Sequence, residues 1–527
     1  MGCLRKKLRM KERIFAAIDL GTNSFHMIVV KVKEDGTIES LTREKENVRL
    51  GSGSADYETL SDDAILRGLN CLKRFKSIAD PYKAEIRTVA TSAIREAKNR
   101  NIFLEKAKKE LGLKIEIASG SEEARLIYLG ILQGLPVYKD RILMIDIGGG
   151  STEILIGESG EVLFSQSFKL GAVRLTERFF KKEVIETSDI QKAKFFIQSL
   201  LTPIRNTINS WRPFRVIGSS GTISTIAAMI LAKEKKTRDR LAGFEFSSTE
   251  LKQIRMDLNE ADSLKKRLKL PGLDEKRAEI IVAGSIILEE IFSEFGLNQI
   301  QISETALREG ILYDSISSWK RFETKEFDKL DKLEEKTINQ LQALYPDAKV
   351  HQNHVRKLAL EIFDGLLQIH KCSIREREYL EVASSIYLIG LRISHSSYHK
   401  HSYYIIKNSD DMVGFSLEEI ELIAQIARYH RKSPPKAKHI EFKSLNLEEQ
   451  NIIKKLSCIL RIADGLNRSG KQIIQKVKVE AKAGRIYFTA FHSKKDDPHL
   501  EEWAFEERKE IFEEVFGYSS AIYFVGG

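Results

Sequence analysis

Ile18-Asp19-Leu20-Gly21-Thr22-Asn23-Ser24 decides how this chain is read, because the stretch recurs 127 residues later as Ile145-Asp146-Ile147-Gly148-Gly149-Gly150-Ser151. An apolar run precedes each copy, Ile14 to Ile18 and Ile142 to Ile145. Another follows each, Met27 to Val32 and Ile154 to Ile156. Apolar runs flanking glycine and small polar residues predict strand, tight turn, strand. A repeat spaced by about one domain predicts two lobes of related topology. Two unrelated hairpins with ordinary glycine turns would not explain why Asp, Gly and Ser recur in register.

The chemistry of the turns points to an anion. Glycines let a ligand approach the backbone, and successive amides in such a turn form an anion-binding concavity. Thr22, Ser24, Ser151 and Thr152 add hydroxyls. Gly21, Thr22, Asn23, Ser24, Gly148, Gly149, Gly150 and Ser151 are therefore candidate phosphate-binding residues. Asp19 and Asp146 open the turns, and Mg²⁺ takes one or two carboxylates with phosphate oxygens and waters, so both are candidate metal ligands. Glu153 lies seven residues after Asp146, where a hairpin can aim both at a metal or a water. Two such hairpins face to face would grip a phosphate chain from both sides.

Outward from the repeat, strands alternate with helices. Glu85 to Ala90 reads as a strand, and Thr91 to Arg95 opens a helix. Ile115 to Ile117 is a strand, and Ser119 to Arg125 opens another helix. Arg215 to Ile217 leads into the glycine loop Gly218-Ser219-Ser220-Gly221-Thr222. This alternation predicts α/β layers, and each helix N-terminus offers amides to an anion. Glu122 and Glu123 compete as the carboxylate that activates water. Glu122 lies three residues after Ser119 and can instead close a capping box.

The 527 residues allow roughly three or four domains. Cys3, Cys71, Cys372 and Cys458 are scattered, which excludes a zinc ribbon or disulfide framework and fits a reducing cytosol. The longest apolar runs, such as Ile226 to Ala232, are far short of the ~20 residues a membrane span needs. No apolar stretch follows the basic start from Met1 to Met10, so a cytoplasmic protein without a signal is expected. The net charge of +10 favours polyanionic partners without choosing among them.

Taken in order, these motifs resemble the exopolyphosphatase/guanosine pentaphosphate phosphatase (Ppx/GppA) family of the actin, sugar-kinase and chaperone-ATPase superfamily. The resemblance rests on Ala17 to Met27, Ala90 to Ala97, Ser119 to Leu126, Asp146 to Glu153, Gly218 to Thr222 and Leu307-Arg308-Glu309-Gly310. It implies two ribonuclease H-like lobes, 1–135 and 136–318, followed by an all-α HD-like domain, 319–471, and a small α+β domain, 472–527. It also implies that Glu123 is the general base, working with Asp146 and Glu153, and that Arg95 binds phosphate. Mg²⁺ with K⁺ as a further candidate, and a homodimer, are implied with them. Neither nucleic acid nor membrane is an implied partner.

His26 falls where Glu153 falls in the second copy, and either contacts polyphosphate or packs. The glycine loop at Gly218 contacts adenosine in the superfamily and here either does so or lines the cleft. The leading activity expected is exopolyphosphatase, with guanosine pentaphosphate 5′-phosphohydrolase as the alternative. A sugar-kinase or chaperone-type ATPase and a weakly catalytic regulatory binder are the more distant readings.

Lys320 to Glu335 is dense in charge and reads as a linker or exposed helix. Beyond it, Val355, Leu358, Ile362 and Leu366 repeat at helical spacing. Where an HD domain keeps its His-Asp pair, this chain has Tyr387-Leu388 before Ile389-Gly390, and Asp464 remains without it. No hydrolytic metal centre is expected there, because a two-metal site needs its bridging carboxylate. His399, Lys400, His401, His430, Arg431 and Lys432, with Lys436 to Lys438, are read as a polyphosphate channel or a solvated basic face. Gln472 to Phe488 and Ala521 to Phe524 read as strands around a helix.

Overall fold

The computed structural model describes residues 12–526 apart from 34–36, 52–57, 183, 214, 236–240, 325–337, 340, 410, 413–414, 437 and 483. Most of the charge-dense segment after Lys320 lies outside the described residues. The chain divides into two compact units, Met1–Asp328 and Lys329–Gly527.

In the first unit, β1 (Arg13–Leu20), β2 (Phe25–Val32), β3 (Ile38–Glu46), β4 (Glu85–Ala90) and β5 (Ile115–Ile117) form a five-stranded sheet ordered β3-β2-β1-β4-β5. Four helices accompany it: α1 (Asp62–Ala79), α2 (Ser92–Glu96), α3 (Arg100–Leu111) and α4 (Gly120–Gly134). Ser119 caps α4 by accepting from the Glu122 amide at 3.1 Å.

The second lobe repeats the design. Its strands are β6 (Ile142–Ile147), β7 (Thr152–Glu158), β8 (Glu161–Phe168), β9 (Arg215–Ser219), β10 (Glu245–Ser247) and β11 (Gln299–Ile302), ordered β10-β11-β9-β6-β7-β8. Its main helices are α5 (Ala172–Phe179), α6 (Thr187–Trp211), α7 (Gly221–Lys233), α8 (Ser248–Glu260) and α9 (Ile281–Phe295). In each lobe the first three strands are antiparallel, and the first also pairs in parallel with the strand that follows the helical crossover. The two lobes therefore share order and direction as well as sequence.

One element crosses the expected boundary between the lobes. α10 (Leu307–Thr324) follows β11 in the chain but packs on β1 and α4 of the first lobe. Trp319 meets Phe15 at 5.7 Å between ring centroids, and Asp314 pairs with Arg87 at 2.6 Å and Arg125 at 2.9 Å. The approach of α4 and α10 is so close that a Cβ on Gly310 would collide with the Leu126 carbonyl. That contact accounts for the glycine in Leu307-Arg308-Glu309-Gly310.

Among the described residues, the longer helices of the second unit ahead of its sheet are α11 (Lys349–Gly365), α12 (Ile374–Ile386), α13 (Leu417–Arg428) and α14 (Leu447–Gly465). A three-stranded sheet follows: β12 (Ile474–Lys482), β13 (Arg485–His492), then α15 (His499–Phe516) and β14 (Ser519–Gly526). Val355, Leu358, Ile362 and Leu366 are all buried, as their spacing predicts. Val477, Ile486, Phe488, Phe505 and Phe512 join the same hydrophobic cluster. The expectation of a separate small domain at 472–527 is thus corrected: sheet and helices share one core. No helix among the described residues is long and apolar enough to cross a membrane.

Candidate active site

Each glycine turn spans four residues between a closing strand pair, Leu20 with Phe25 and Ile147 with Thr152. One pair further from the turn, Asp19 lies opposite His26 and Asp146 opposite Glu153. The turns meet. A Cβ on Gly150 would stand 2.8 Å from Thr22 Oγ1, and Thr22 itself shares a 2.9 Å hydrogen bond with Ser92 at the start of α2. Only glycine permits this approach.

In each turn, amides from outside the hairpin hold two of the carbonyls. Arg49 and Gly51 donate to the carbonyls of Asn23 and Thr22 at 2.9 and 3.2 Å. Ala172 donates to Gly148 O at 2.9 Å, and Val173 to Gly149 O at 2.9 Å. No peptide is cis. In a planar trans peptide the next amide points opposite to a held carbonyl, so Asn23, Ser24 and Gly150 turn their N–H groups the other way. Ser24 Oγ donates to Asn47 at 2.8 Å, which fixes the end of the first turn.

Glu122 and Glu123 part company on α4. Glu122 receives both Nε and a terminal nitrogen of Arg125, at 2.8 and 2.7 Å, and Arg125 continues to Asp314. Glu122 is thus engaged in structure. Glu123 receives Arg95 at 2.8 Å, and Arg95 also donates to Ala118 O at 2.9 Å. Burial raises the Glu123 pKa, Arg95 opposes that rise, and Glu96 adds to it.

Asp19, Glu123, Asp146 and Glu153 act on one another electrostatically. Burial raises Asp146 to about 6, with Glu123 adding while Ser219 and Arg277 oppose. Glu153, 1% exposed, is raised well above its usual range by burial, then by Glu123 and Asp146, while Ser167 donates to it at 2.8 Å. This is no solvated strand residue. Asp19 is likewise raised, and its buried Oδ1 has no hydrogen-bond partner in the structure.

Such a set of hard oxygens suits Mg²⁺. No group of three or more potential ligands capable of holding a metal occurs among the described residues. A Mg²⁺ here would take one or two of these carboxylates, with phosphate and water completing its shell. Asp19, with its unpartnered Oδ1, offers one such oxygen, and Asp146 and Glu153 are the other candidates.

Three cations escaped the sequence reading. Arg308 is the largest counter-charge on Asp19. Arg277, whose guanidinium lies against Gly221 at the start of α7, acts on Asp146 and is itself buried enough to have a lowered pKa. Lys45, with Arg277 and Arg308, surrounds His26, whose pKa falls to about 3, chiefly through burial. His26 is neutral as a result. Arg308 had a signal, since its motif was recognised without a role; Arg277 and Lys45 had none.

A model of the Ppx/GppA phosphatase family matches residues 28–319, and one of the family's domain III matches 333–508. The chain belongs to the Ppx/GppA phosphatase family. Like that family it is a phosphoanhydride hydrolase. A relative from Vibrio vulnificus, guanosine-5'-triphosphate,3'-diphosphate pyrophosphatase, is 32% identical over 423 residues, 80% of this chain and 81% of its own. The protein of the same name from Pseudoalteromonas translucida is 31% identical over 432 residues, 81% and 82% of the two chains. The crystal structure of an exopolyphosphatase from Cytophaga hutchinsonii covers 58% of this chain and 98% of its own, at 31% identity and a TM-score of 0.55. That of the Aquifex aeolicus family member covers 59% and 99%, at 27% identity and a TM-score of 0.51.

In the Ppx/GppA domain III region, Tyr387 and Asp464 belong to a buried polar network. The Tyr387 hydroxyl donates to Asp464 at 2.8 Å and shares a 2.8 Å bond with His351, which in turn meets Asn467 at 3.0 Å. The expected channel is corrected at two of its residues. His430 is fully buried, bonded to Ala427 O at 2.6 Å and the Tyr398 hydroxyl at 3.0 Å, and burial lowers its pKa to about 4. His399 is also buried and lowered to about 4. Neither presents a charge to solvent. Lys400 and Lys432 are exposed, while His401 and Arg431 are half-buried.

Proposed function

We propose that this Ppx/GppA phosphatase removes the terminal 5′-phosphate of guanosine 5′-triphosphate 3′-diphosphate. Relatives of that name, 31–32% identical over four-fifths of the chain, support this reading over the polyphosphate expectation that came first from the sequence. The observation that carries the chemistry is the meeting of the two turns beside Glu123 and its carboxylate neighbours. The terminal phosphoryl group is read as resting against the outward amides of both turns. Phosphoryl transfer depends mainly on positioning and charge stabilisation, which such amides supply.

A water aligned by Glu123 attacks the terminal phosphorus. Its oxygen forms the new P–O bond as the bridging P–O bond breaks, and its proton passes to the Glu123 carboxylate. Orthophosphate leaves on one side and the nucleotide, one phosphate shorter, on the other. The raised pKa of Glu123 makes it a better base than an ordinary surface carboxylate. Mg²⁺, held by one or two of Asp19, Asp146 and Glu153, would neutralise charge on the phosphoryl oxygens. Arg308, Arg277 and Lys45 would hold the substrate's remaining charge.

Exopolyphosphatase activity is the second reading, favoured by the structural likeness to the Cytophaga enzyme. We read the helical region as HD-like, with Tyr387 occupying the place of the missing metal ligand. Incubation with Mg²⁺ and each substrate, with orthophosphate measured, tests both. Faster release from the nucleotide supports the first reading, and faster release from long-chain polyphosphate supports the second. No release from either overturns both.

A further inference from the structure

Arg174 takes no part in the chemistry described above, yet it joins the second glycine turn to the opposite lobe. It sits in the first turn of α5 and is 8% exposed. Its Nε donates to the Gly150 carbonyl at 2.8 Å, and a terminal nitrogen donates to Glu96 Oε1 at 2.9 Å. The preceding carbonyls, Gly148 and Gly149, are held by backbone amides of α5. Gly150 O is held by a side chain. With a planar trans peptide, holding that carbonyl turns the Ser151 amide the opposite way.

Glu96 ends α2, and this short helix serves the site at two other points. Ser92 holds Thr22 of the first turn at 2.9 Å, and Arg95 holds Glu123 at 2.8 Å. Through Arg174, one five-residue helix therefore touches the first turn, the carboxylate base and the second turn. A planar guanidinium can serve two acceptors in two directions at once; an ammonium is a point charge on a flexible stem.

We propose that Arg174 is a positioning residue for phosphoryl transfer. It sets the Ser151 amide toward the transferring phosphoryl group and, through Glu96, links that setting to the helix that holds Arg95 against Glu123. The proposal rests on the phosphatase reading of the site. A salt bridge that merely joined the lobes would have the same contacts but different kinetics.

The test uses the full chain with Mg²⁺, guanosine pentaphosphate and long-chain polyphosphate, comparing wild type with R174A, R174K and E96Q. For R174A we expect kcat to fall about 10- to 100-fold, as when one preorganised donor is lost, with KM within about threefold. The guanidinium borders a cavity of about 290 Å³ lined also by Glu58, Lys98 and Lys169, which gives a small cation a path to the vacated place. Guanidinium at about 20 mM should restore much of kcat, and NaCl of equal ionic strength should not. R174K should stay impaired.

R174A with kcat near wild type would overturn the proposal. So would a loss that follows the unfolded fraction and ignores guanidinium. Should R174A fail to fold, an R174K enzyme with full activity overturns it, and one with low kcat and normal KM supports it. A wild type that cleaves neither substrate sinks the phosphatase reading instead.

Discussion

Arg95 and Glu123 form a buried ion pair at 2.8 Å, with side chains only 15% and 8% exposed, between a helix of the first sheet and the start of α4. The pair sets the working pH of the carboxylate. Burial and Glu96 raise the Glu123 pKa, and Arg95 lowers it. As the proposed base, Glu123 must be ionised to accept a proton, so its pKa should fix the acid limb of the pH–rate profile. Arg95→Gln should shift that limb to higher pH, and Glu96→Gln to lower pH. Profiles of kcat/KM for the three proteins check the direction, and unmoved limbs would remove Glu123 from the role of base.

Glu123→Gln keeps the size of the side chain and removes its basicity. We expect kcat to fall by about 10²–10⁴-fold, the usual worth of general base catalysis, with little change in melting temperature. Orthophosphate release and thermal denaturation measure the two.

Asp146 should trade stability for function. Its folded pKa of about 6 lies above the ordinary aspartate value, mainly through burial. The folded state therefore binds this proton more tightly, and its stabilising effect is present at low pH and lost as pH rises from about 4 to about 6. Asp146→Asn should melt higher than wild type at pH 8, equal it near pH 4, and lack activity. Mg²⁺ should raise the wild-type melting temperature at pH 8 more than that of the variant, because binding to the folded state stabilises it.

Gly150→Ala tests the meeting of the two turns. The new Cβ would crowd Ser92 Oγ most closely and stand 2.8 Å from Thr22 Oγ1, so α2 and the first turn must shift from the second. A kcat loss of about 10²-fold is expected from misplaced donors, with a raised KM. Wild-type kinetics would show that the turns do not share a ligand.

Asp464 has the opposite linkage. Burial would raise its pKa, but the nearness of His351 at 3.7 Å, of His430 and of Arg508, with a hydrogen bond from Tyr387, holds it below the usual range. That stability is present above the unfolded pKa and lost as pH falls through the folded one. Asp464→Ala leaves the buried Tyr387 hydroxyl without its acceptor and should cost about 2–4 kcal/mol in denaturant unfolding at pH 7. Below its melting temperature the variant should keep its kcat.

The sequence by itself determined the two hairpins, their glycine turns and the helix start at Ser119. Each is a local matter: strand periodicity, backbone conformations that glycine tolerates, and a cap three residues from the amide it serves. The Asp, Gly and Ser repeat also marked the two lobes as related, and β1 and β6 do lead sheets of the same order. Tertiary structure supplied the physical reason that the two adjacent glutamates differ, because Arg125 and Asp314 claim Glu122 and Arg95 takes Glu123.

Tertiary structure also brought Arg308 to Asp19, Arg277 to Asp146 and Lys45 to His26, returned helix 307–324 to the first lobe, and buried His430 among tyrosines. Those outcomes depend on contacts between residues tens to hundreds of positions apart. A charge in sequence carries no mark of whether folding will place it in water, against an opposite charge, or in a core where it must be neutral.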